Sequence, residues 1–287
     1  MKGQGTTRFG PLRYRADLRT LGFLVAFNAL LAVQWLGVAR SLYLLLPTYI
    51  LAVVALVVKH NHVHSPTFRD SSWNSAFEMW LSILTAHPTS GIITSHNVLH
   101  HQHNNTDADF VRCSLVKSRS NLFNFLTFFF ASVKTMYRNK PSDLNCWRES
   151  DPRLYRQAIA ERMLTYGSLF ALVLFDWRST IKYCAGPWLF GQWFLVTINL
   201  LQHQGCDSTS EFNHSRNLTG RLLNWVLLNN GYHTAHHMFP NAHWSKLPQI
   251  HLRVVDPHTD ASLNERSLWR CVWRRFVLGR GWQGASA

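Results

Sequence analysis

Two uncharged apolar runs, LGFLVAFNALLAVQWLGV (21–38) and SLYLLLPTYILAVVALVV (41–58), are separated only by Ala39 and Arg40. Each is near the ~20 residues a helix needs to cross the hydrocarbon core of a bilayer. A two-residue connection leaves no room for a folded domain, so the two helices must form an antiparallel hairpin. A third long run, YCAGPWLFGQWFLVTINLLQ (183–202), follows the shorter MLTYGSLFALVLF (163–175), and these pair as a second hairpin. Residues 73–95, which contain Glu78, His87 and Pro88, and NLFNFLTFFFASV (121–133) are interrupted or short. They read as interfacial or buried helices rather than spans. The expected fold is therefore an all-α integral membrane protein with about four transmembrane helices in two hairpins.

No linker or internal repeat divides the 287 residues, so residues 1–287 read as a single domain. The net charge of +14 is spread along the chain rather than gathered in one run, and the apolar segments have no place in a DNA-binding module. Nucleic acid is not an expected partner; membrane lipids and an acidic protein are. Most of the 29 Lys and Arg fall in the N-terminal segment and in 59–160 and 203–287, while the turns at the opposite ends hold only Arg40, Arg178 and Lys182. By the positive-inside rule the polar segments form a cytoplasmic cap. The five cysteines, Cys113, Cys146, Cys184, Cys206 and Cys271, include no CxxC pair, which excludes a thiolate metal site or a fused iron–sulfur domain and points to a reducing compartment.

The histidines are concentrated where the hairpins would deliver them. HNHVH (60–64) begins at the end of the second run, HNVLHH (96–101) follows it, His203 closes the last run, and HTAHH (233–237) lies in the tail. On an α-helix His60 and His64 share a face, as do His96 and His100, and His233 meets His236 and His237 across one turn. Neutral imidazole is a good ligand for iron, copper or zinc. His60, His64, His96, His100, His101, His203, His233, His236 and His237 are too many for one ion and suit two. A lone HxxxH is usually coincidence; four groups on one side of a membrane, beside seven scattered histidines, are not. His62 and His103 read as support for the ligands or as accidents, and His87, His214, His243, His251 and His258 as surface or structural residues. The N-x-T matches at Asn104 and Asn217 carry no meaning on a cytoplasmic face.

Among carboxylates, Asp107, Asp109 and Asp207 are candidate acceptors for the second ring N–H of a ligand imidazole, with Asp107 favoured for following the second group so closely. A zinc protease would carry Glu in HExxH, where HNHVH has Asn61.

HxxxH, HxxxHH and HxxHH in this order between paired spans resemble the three histidine boxes of the membrane fatty acid desaturase and hydroxylase superfamily, and NNGYHTAHHMFPNAHWSKLPQIH is closest to the third-box region of acyl desaturases. The likeness runs from about His60 to His251. It implies a non-haem centre of two iron ions, held by His60 and His64, by His96, His100 and His101, and by His233, His236 and His237. It also implies O₂ as oxidant, a fatty acyl substrate, and an external electron donor of ferredoxin or cytochrome b5 type with its reductase. NLLQH (199–203) is similar to an Asn-x-x-x-His element in which the His, here His203, binds metal and the Asn, here Asn199, holds a metal-bound water. The second box has three residues before its His pair where two are commoner, and the first is HxxxH rather than the HxxxxH of animal acyl-CoA desaturases. Those shifts leave lipid-bound and carrier-protein-bound chains beside acyl-CoA as substrates.

Desaturation of an acyl chain is the expected reaction. A hydroxylase acting on a lipid or terpenoid would use the same centre. A non-catalytic membrane metal-binding or transport protein would instead carry ionisable residues within its spans, which are nearly free of charge here.

Overall fold

A computed structural model describes residues 10–139 and 143–279. The chain is mostly helical. In order it forms α1 (Asp17–Trp35), α2 (Leu42–His64), α3 (Ser71–Leu84), a π-helical segment (Ile93–His100) that passes into the short α4 (His101–His103), α5 (Asn121–Asn139), α6 (Asp143–Ser150), α7 (Pro152–Ser179) and α8 (Gly186–His203). Short elements follow: α9 (Arg221–Val226), α10 (His233–Met238), α11 (Leu247–Ile250) and α12 (Leu268–Val272). A two-stranded parallel ribbon pairs β1 (Asn217–Leu218) with β2 (Asn264–Glu265).

Local signals set the ends of the main helices. Ser41 caps α2 by accepting from Tyr43 N, Asp70 caps α3 through Ser72 N and Trp73 N, and Asp151 caps α7 through Arg153 N and Leu154 N, with Pro152 at the first helical position. Three stretches are long and apolar enough to cross a membrane: Asp17–Trp35, Leu42–His64 and Pro152–His203. The first two contain most of the expected runs 21–38 and 41–58. The last, 52 residues long, contains both expected runs, 163–175 and 183–202, with a break at Asp176 (φ -155°, ψ 86°) and a π turn at Thr180–Ala185 between α7 and α8.

Helices immersed in lipid gain little from the hydrophobic effect, so close backbone approach and hydrogen bonds must join them. α2 packs most extensively on α8. At their crossing a Cβ on Gly191 would stand 3.0 Å from the Ala52 carbonyl oxygen, so glycine permits the contact. Gln34 Nε2 donates to Thr48 Oγ1 at 2.8 Å between α1 and α2. Far from the histidines, Trp35 Nε1 donates to Thr180 Oγ1 at 2.9 Å and Arg40 Nη2 to Ser179 Oγ at 3.0 Å, which joins the α1–α2 turn to the break after α7. At the other end buried Asp17 accepts from His243 Nε2 at 3.1 Å and Trp244 Nε1 at 3.0 Å, locking the start of α1 to the tail. His243 is therefore structural and buried.

The stretch 73–95 begins exposed at Trp73, becomes buried from Leu81 onward for most of its length, and turns back on itself. α3 runs down between α2 and α7 until Trp188 Nε1 of α8 meets the Leu84 carbonyl at 2.8 Å. Trp188 lies fifteen residues before His203, or about 22 Å along a helix. The chain reverses through Ala86, in the left-handed region at φ 50°, and climbs again through the π-helical segment. Non-helical backbone at that depth needs protein partners, and Lys59 Nζ donates to the His87 carbonyl and to Thr85 Oγ1. α5 is amphipathic: Asn124 and Phe128 are buried while Phe123, Leu126 and Phe130 face outward.

Candidate metal centre

Four elements converge on one cluster of imidazoles. α2 continues through the first box without a break, so His60 and His64, one turn apart, point the same way, with ring centroids 5.1 Å apart. α8 brings His203 at its last position, α10 brings His233, His236 and His237, and the π-helical segment with α4 brings His96, His100 and His101.

The nine side chains sort into two groups. His60, His64, His96, His101 and His236 present nitrogens that lie within 4.8 Å of one another, and so do His100, His203, His233 and His237. His96 and His100 stack with ring centroids 5.5 Å apart, as their spacing leads one to expect, yet their nitrogens belong to different groups. A π-helix closes its hydrogen bonds from i to i+5, so the residue five along also comes near the same face. His96 therefore meets His101, with Nε2 atoms 3.2 Å apart, and His100 turns to the other group. In α10, wound normally, His233 and His237 stay together and His236 joins the first group.

The spacings fit ions. Ligand nitrogens about 2.05 Å from a metal stand about 2.9 Å apart at right angles and about 3.4 Å apart in a tetrahedron. His236 Nε2 is 3.1 Å from His101 Nε2, and His203 Nε2 is 2.8 Å from His233 Nε2. His96 Nε2 and His236 Nε2 both face His101 Nε2, which carries either one proton or one lone pair and cannot serve both. Among the described residues, His64, His100 and His237 each have a buried Nε2 without a protein partner. Burial, and then the neighbouring imidazoles, hold His96, His101, His233, His236 and His237 below the ordinary histidine range, so these rings are neutral, as ligands must be. An all-imidazole donor set suits iron, copper or zinc.

Several rings are aimed from behind. His203 Nδ1 donates to the His214 carbonyl at 3.2 Å, and His60 Nδ1 lies 3.2 Å from Asn61 Oδ1 and 3.1 Å from Asn230 Nδ2. His100 Nδ1 donates to Asp109 Oδ2 at 2.9 Å. Burial alone would raise the Asp109 carboxyl, but His100 and the backbone N–H groups of Asn105 and Val111 outweigh it and hold the group below the usual carboxylate range.

Asp107, the carboxylate favoured from sequence, lies outside this cluster: its side chain is fully exposed and pairs with Arg112 at 3.5 Å. Proximity in sequence misled here, because the loop after His103 turns Asp107 outward and Asp109 inward. Asp207 caps its own turn through Thr209 N at 3.0 Å and, among the described residues, meets no imidazole. His62 stands on the far face of α2, between Thr67 and Glu78. Asn230 and the His214 carbonyl were not legible beforehand; a side chain that reaches a ligand from 170 residues away leaves no local pattern.

Beside the histidines lies a small cleft of about 80 Å³, walled by Ile92, Phe110, Val111, Leu195, Val196 and Ile198 and also lined by His60, His96, His233 and Asn199. Asn199 Nδ2 donates to the Leu195 carbonyl at 3.2 Å.

A family model described as fatty acid desaturase matches residues 13–267. The chain belongs to the fatty acid desaturase family. No curated protein sequence matches it. As a desaturase-family member it is an oxidoreductase of a membrane-bound family that acts on fatty acyl chains, and its histidine groups are compatible with the metal such a reaction needs.

Proposed function

We propose that the chain is an O₂-dependent desaturase that inserts a C=C bond into a fatty acyl chain, using two iron ions held by the two histidine groups. The observation that carries this reading is the cleft: its largely apolar wall borders ligands of both groups, His60 and His96 from one and His233 from the other. Hydrolysis would want a polar substrate site and a general base, whereas breaking an unactivated C–H bond needs a dry alkyl site beside a redox metal.

Iron bound here would supply the oxidising power that no side chain has. The balance takes one hydrogen from each of two adjacent methylenes and reduces O₂ to two waters, with two electrons and two protons from an external donor. The cleft walls, Phe110, Val111, Leu195 and Ile198, hold the chain and exclude water. Asp109, the His214 carbonyl and Asn61 fix the ligand rings. Asn199 is assigned a water in the cleft.

In this reading α1 with α2 and α7 with α8 form two hairpins of four spans, and the histidines lie on the cytoplasmic side, where a ferredoxin or cytochrome b5 type donor meets a basic surface. The net charge of +14 supports an acidic donor. Cys146, exposed on α6, reports the topology. An impermeant thiol reagent applied to intact cells should leave it unmodified, and labelling would overturn the orientation.

Lipid profiling of cells that express the chain tests the reaction. A product two mass units lighter than its precursor is expected. One sixteen units heavier would make the enzyme a hydroxylase, and an unchanged profile with iron and donor present would overturn both.

A further inference from the structure

Lys59, Glu78, Gln157 and Glu161 form a polar cluster on the side of α2 that faces away from the imidazoles. Lys59 and Glu161 are both 0% exposed. Charges so buried persist only where they are paired and hydrogen-bonded, and apolar residues of similar volume often serve stability as well or better. What the cluster connects is therefore informative.

Two routes leave the first-box segment and end at the entry to the second box. Lys59, one residue before His60, donates to Thr85 Oγ1 and to the His87 carbonyl. His62, between His60 and His64, donates from Nε2 to Glu78 Oε1 at 3.1 Å; Glu78 Oε2 accepts from Gln157 Nε2, which also donates to Glu161 Oε1 at 3.2 Å. Glu161 Oε2 then accepts the Ser90 backbone N–H at 2.7 Å. Ser90 precedes the π-helical segment that carries His96, and Arg162 Nη1 reaches Ser90 Oγ at 3.4 Å. The chain of bonds thus runs from the helix of one box, through α3 and α7, to the backbone that starts the other. None of its members except His62 and Lys59 lies near a ligand in sequence.

We propose that Glu161 is a positioning residue for the metal centre: through the Ser90 amide it holds the second-box segment in register with the first-box helix. The proposal rests on the reading of the two histidine groups as metal sites. Ligand nitrogens must stay within a few tenths of an ångström of their places, and His96 and His101 share a group with His60 and His64 although they hang from a segment that turns back deep in the protein. Removing the acceptor of Ser90 N frees that segment to shift along α2.

The test is metal binding, not turnover. Purified full-length chain is titrated with Co(II), whose visible absorption reports the number and symmetry of its ligands, and affinity is measured by competition with a chelator. Wild type should bind two ions. Glu161→Leu should bind roughly 10–100-fold more weakly, with an altered spectrum, the magnitude seen when a residue supporting a metal ligand is removed. Glu161→Gln, whose amide oxygen can still accept from Ser90 N, should keep the wild-type spectrum, and Ser90→Ala, which retains the amide, should match wild type. If Glu161→Leu cannot be recovered folded, Gln157→Met, which cuts the link between the carboxylates, should show the spectral change in weaker form. Wild-type affinity and spectrum in Glu161→Leu or in Gln157→Met, even with a lower melting temperature of the metal-free protein, would overturn the positioning role. Failure of the wild-type chain to bind two ions would overturn the metal-site reading itself, and this proposal with it.

Discussion

His100 Nδ1 and Asp109 Oδ2 are 2.9 Å apart, with both side chains 1% exposed. The bond fixes which nitrogen of His100 is free to face His203, His233 and His237, so Asp109 acts on the group of four through one ring. Asp109→Ala should weaken metal binding in that group by roughly 10–100-fold. Asp107→Ala, altering an exposed side chain, should leave it unchanged. Chelator competition on the two variants separates them, and equal effects would contradict the assignment.

The π winding makes a prediction about length. Three residues separate His96 from the His100–His101 pair, and the wider turn lets His96 and His101 meet at i and i+5. Deleting Leu99 puts the same two histidines at i and i+4, which an α-helix aligns on one face. The deletion variant should therefore keep two-metal binding. Deleting Val63 from the regular helix between His60 and His64 should abolish it. Metal analysis of both proteins is the check, and loss of metal from the Leu99 deletion would show that the π turn itself is required.

Asn199→Leu distinguishes a role at the site from a role in helix packing. The side chain borders the cleft next to His60, His96 and His233. If it holds a water there, the variant should retain most of its iron while turnover per iron falls tenfold or more, roughly the size of effect seen for groups supporting a metal site. Normal turnover per iron with lower yield would instead make it a packing residue.

Acid should unfold the metal-free protein. His96, His101, His233, His236 and His237 are held below 6.5 by burial, whereas in the unfolded chain they titrate near ~6.5. Below that pH the unfolded state binds more protons, so stability falls as pH falls, by up to ~1.4 kcal/mol per pH unit for each ring. Asp109, whose carboxyl is held low, adds a loss in the same direction only below about pH 4. Melting temperatures of the metal-free chain should stay level from pH 8 to about pH 7 and decline from there to pH 5, and bound metal, by excluding protons from its ligands, should oppose the decline. A flat profile would mean that the rings are not buried neutral in solution.

Much of this was legible in the residues. The apolar runs at 21–38 and 41–58 lie largely in α1 and α2, because length and hydropathy alone decide whether a helix can cross a bilayer. The nine histidines stood out because ligand type and helical spacing are local properties. The stretch 73–95 was ambiguous for an equally physical reason: an apolar segment that contains Glu78, His87 and Pro88 is tolerated deep in the protein only if its polar groups find partners, and Lys59, Trp188 and Gln192 come from distant helices.

By itself the sequence determined which side chains can bind metal and which helices can lie in lipid, since both follow from side-chain chemistry and from spacings of three to five residues. How nine imidazoles divide into five and four is a tertiary matter: the π segment brings His101 to His96, while His100, still stacked on His96, presents its nitrogen to His203, His233 and His237. Only the tertiary structure, too, decided that Asp109 rather than Asp107 stands behind His100, since two carboxylates two residues apart differ only in where the loop directs them. The pairing of Glu161 with the Ser90 amide belongs to the same class: 71 residues separate them, and no periodicity reaches so far.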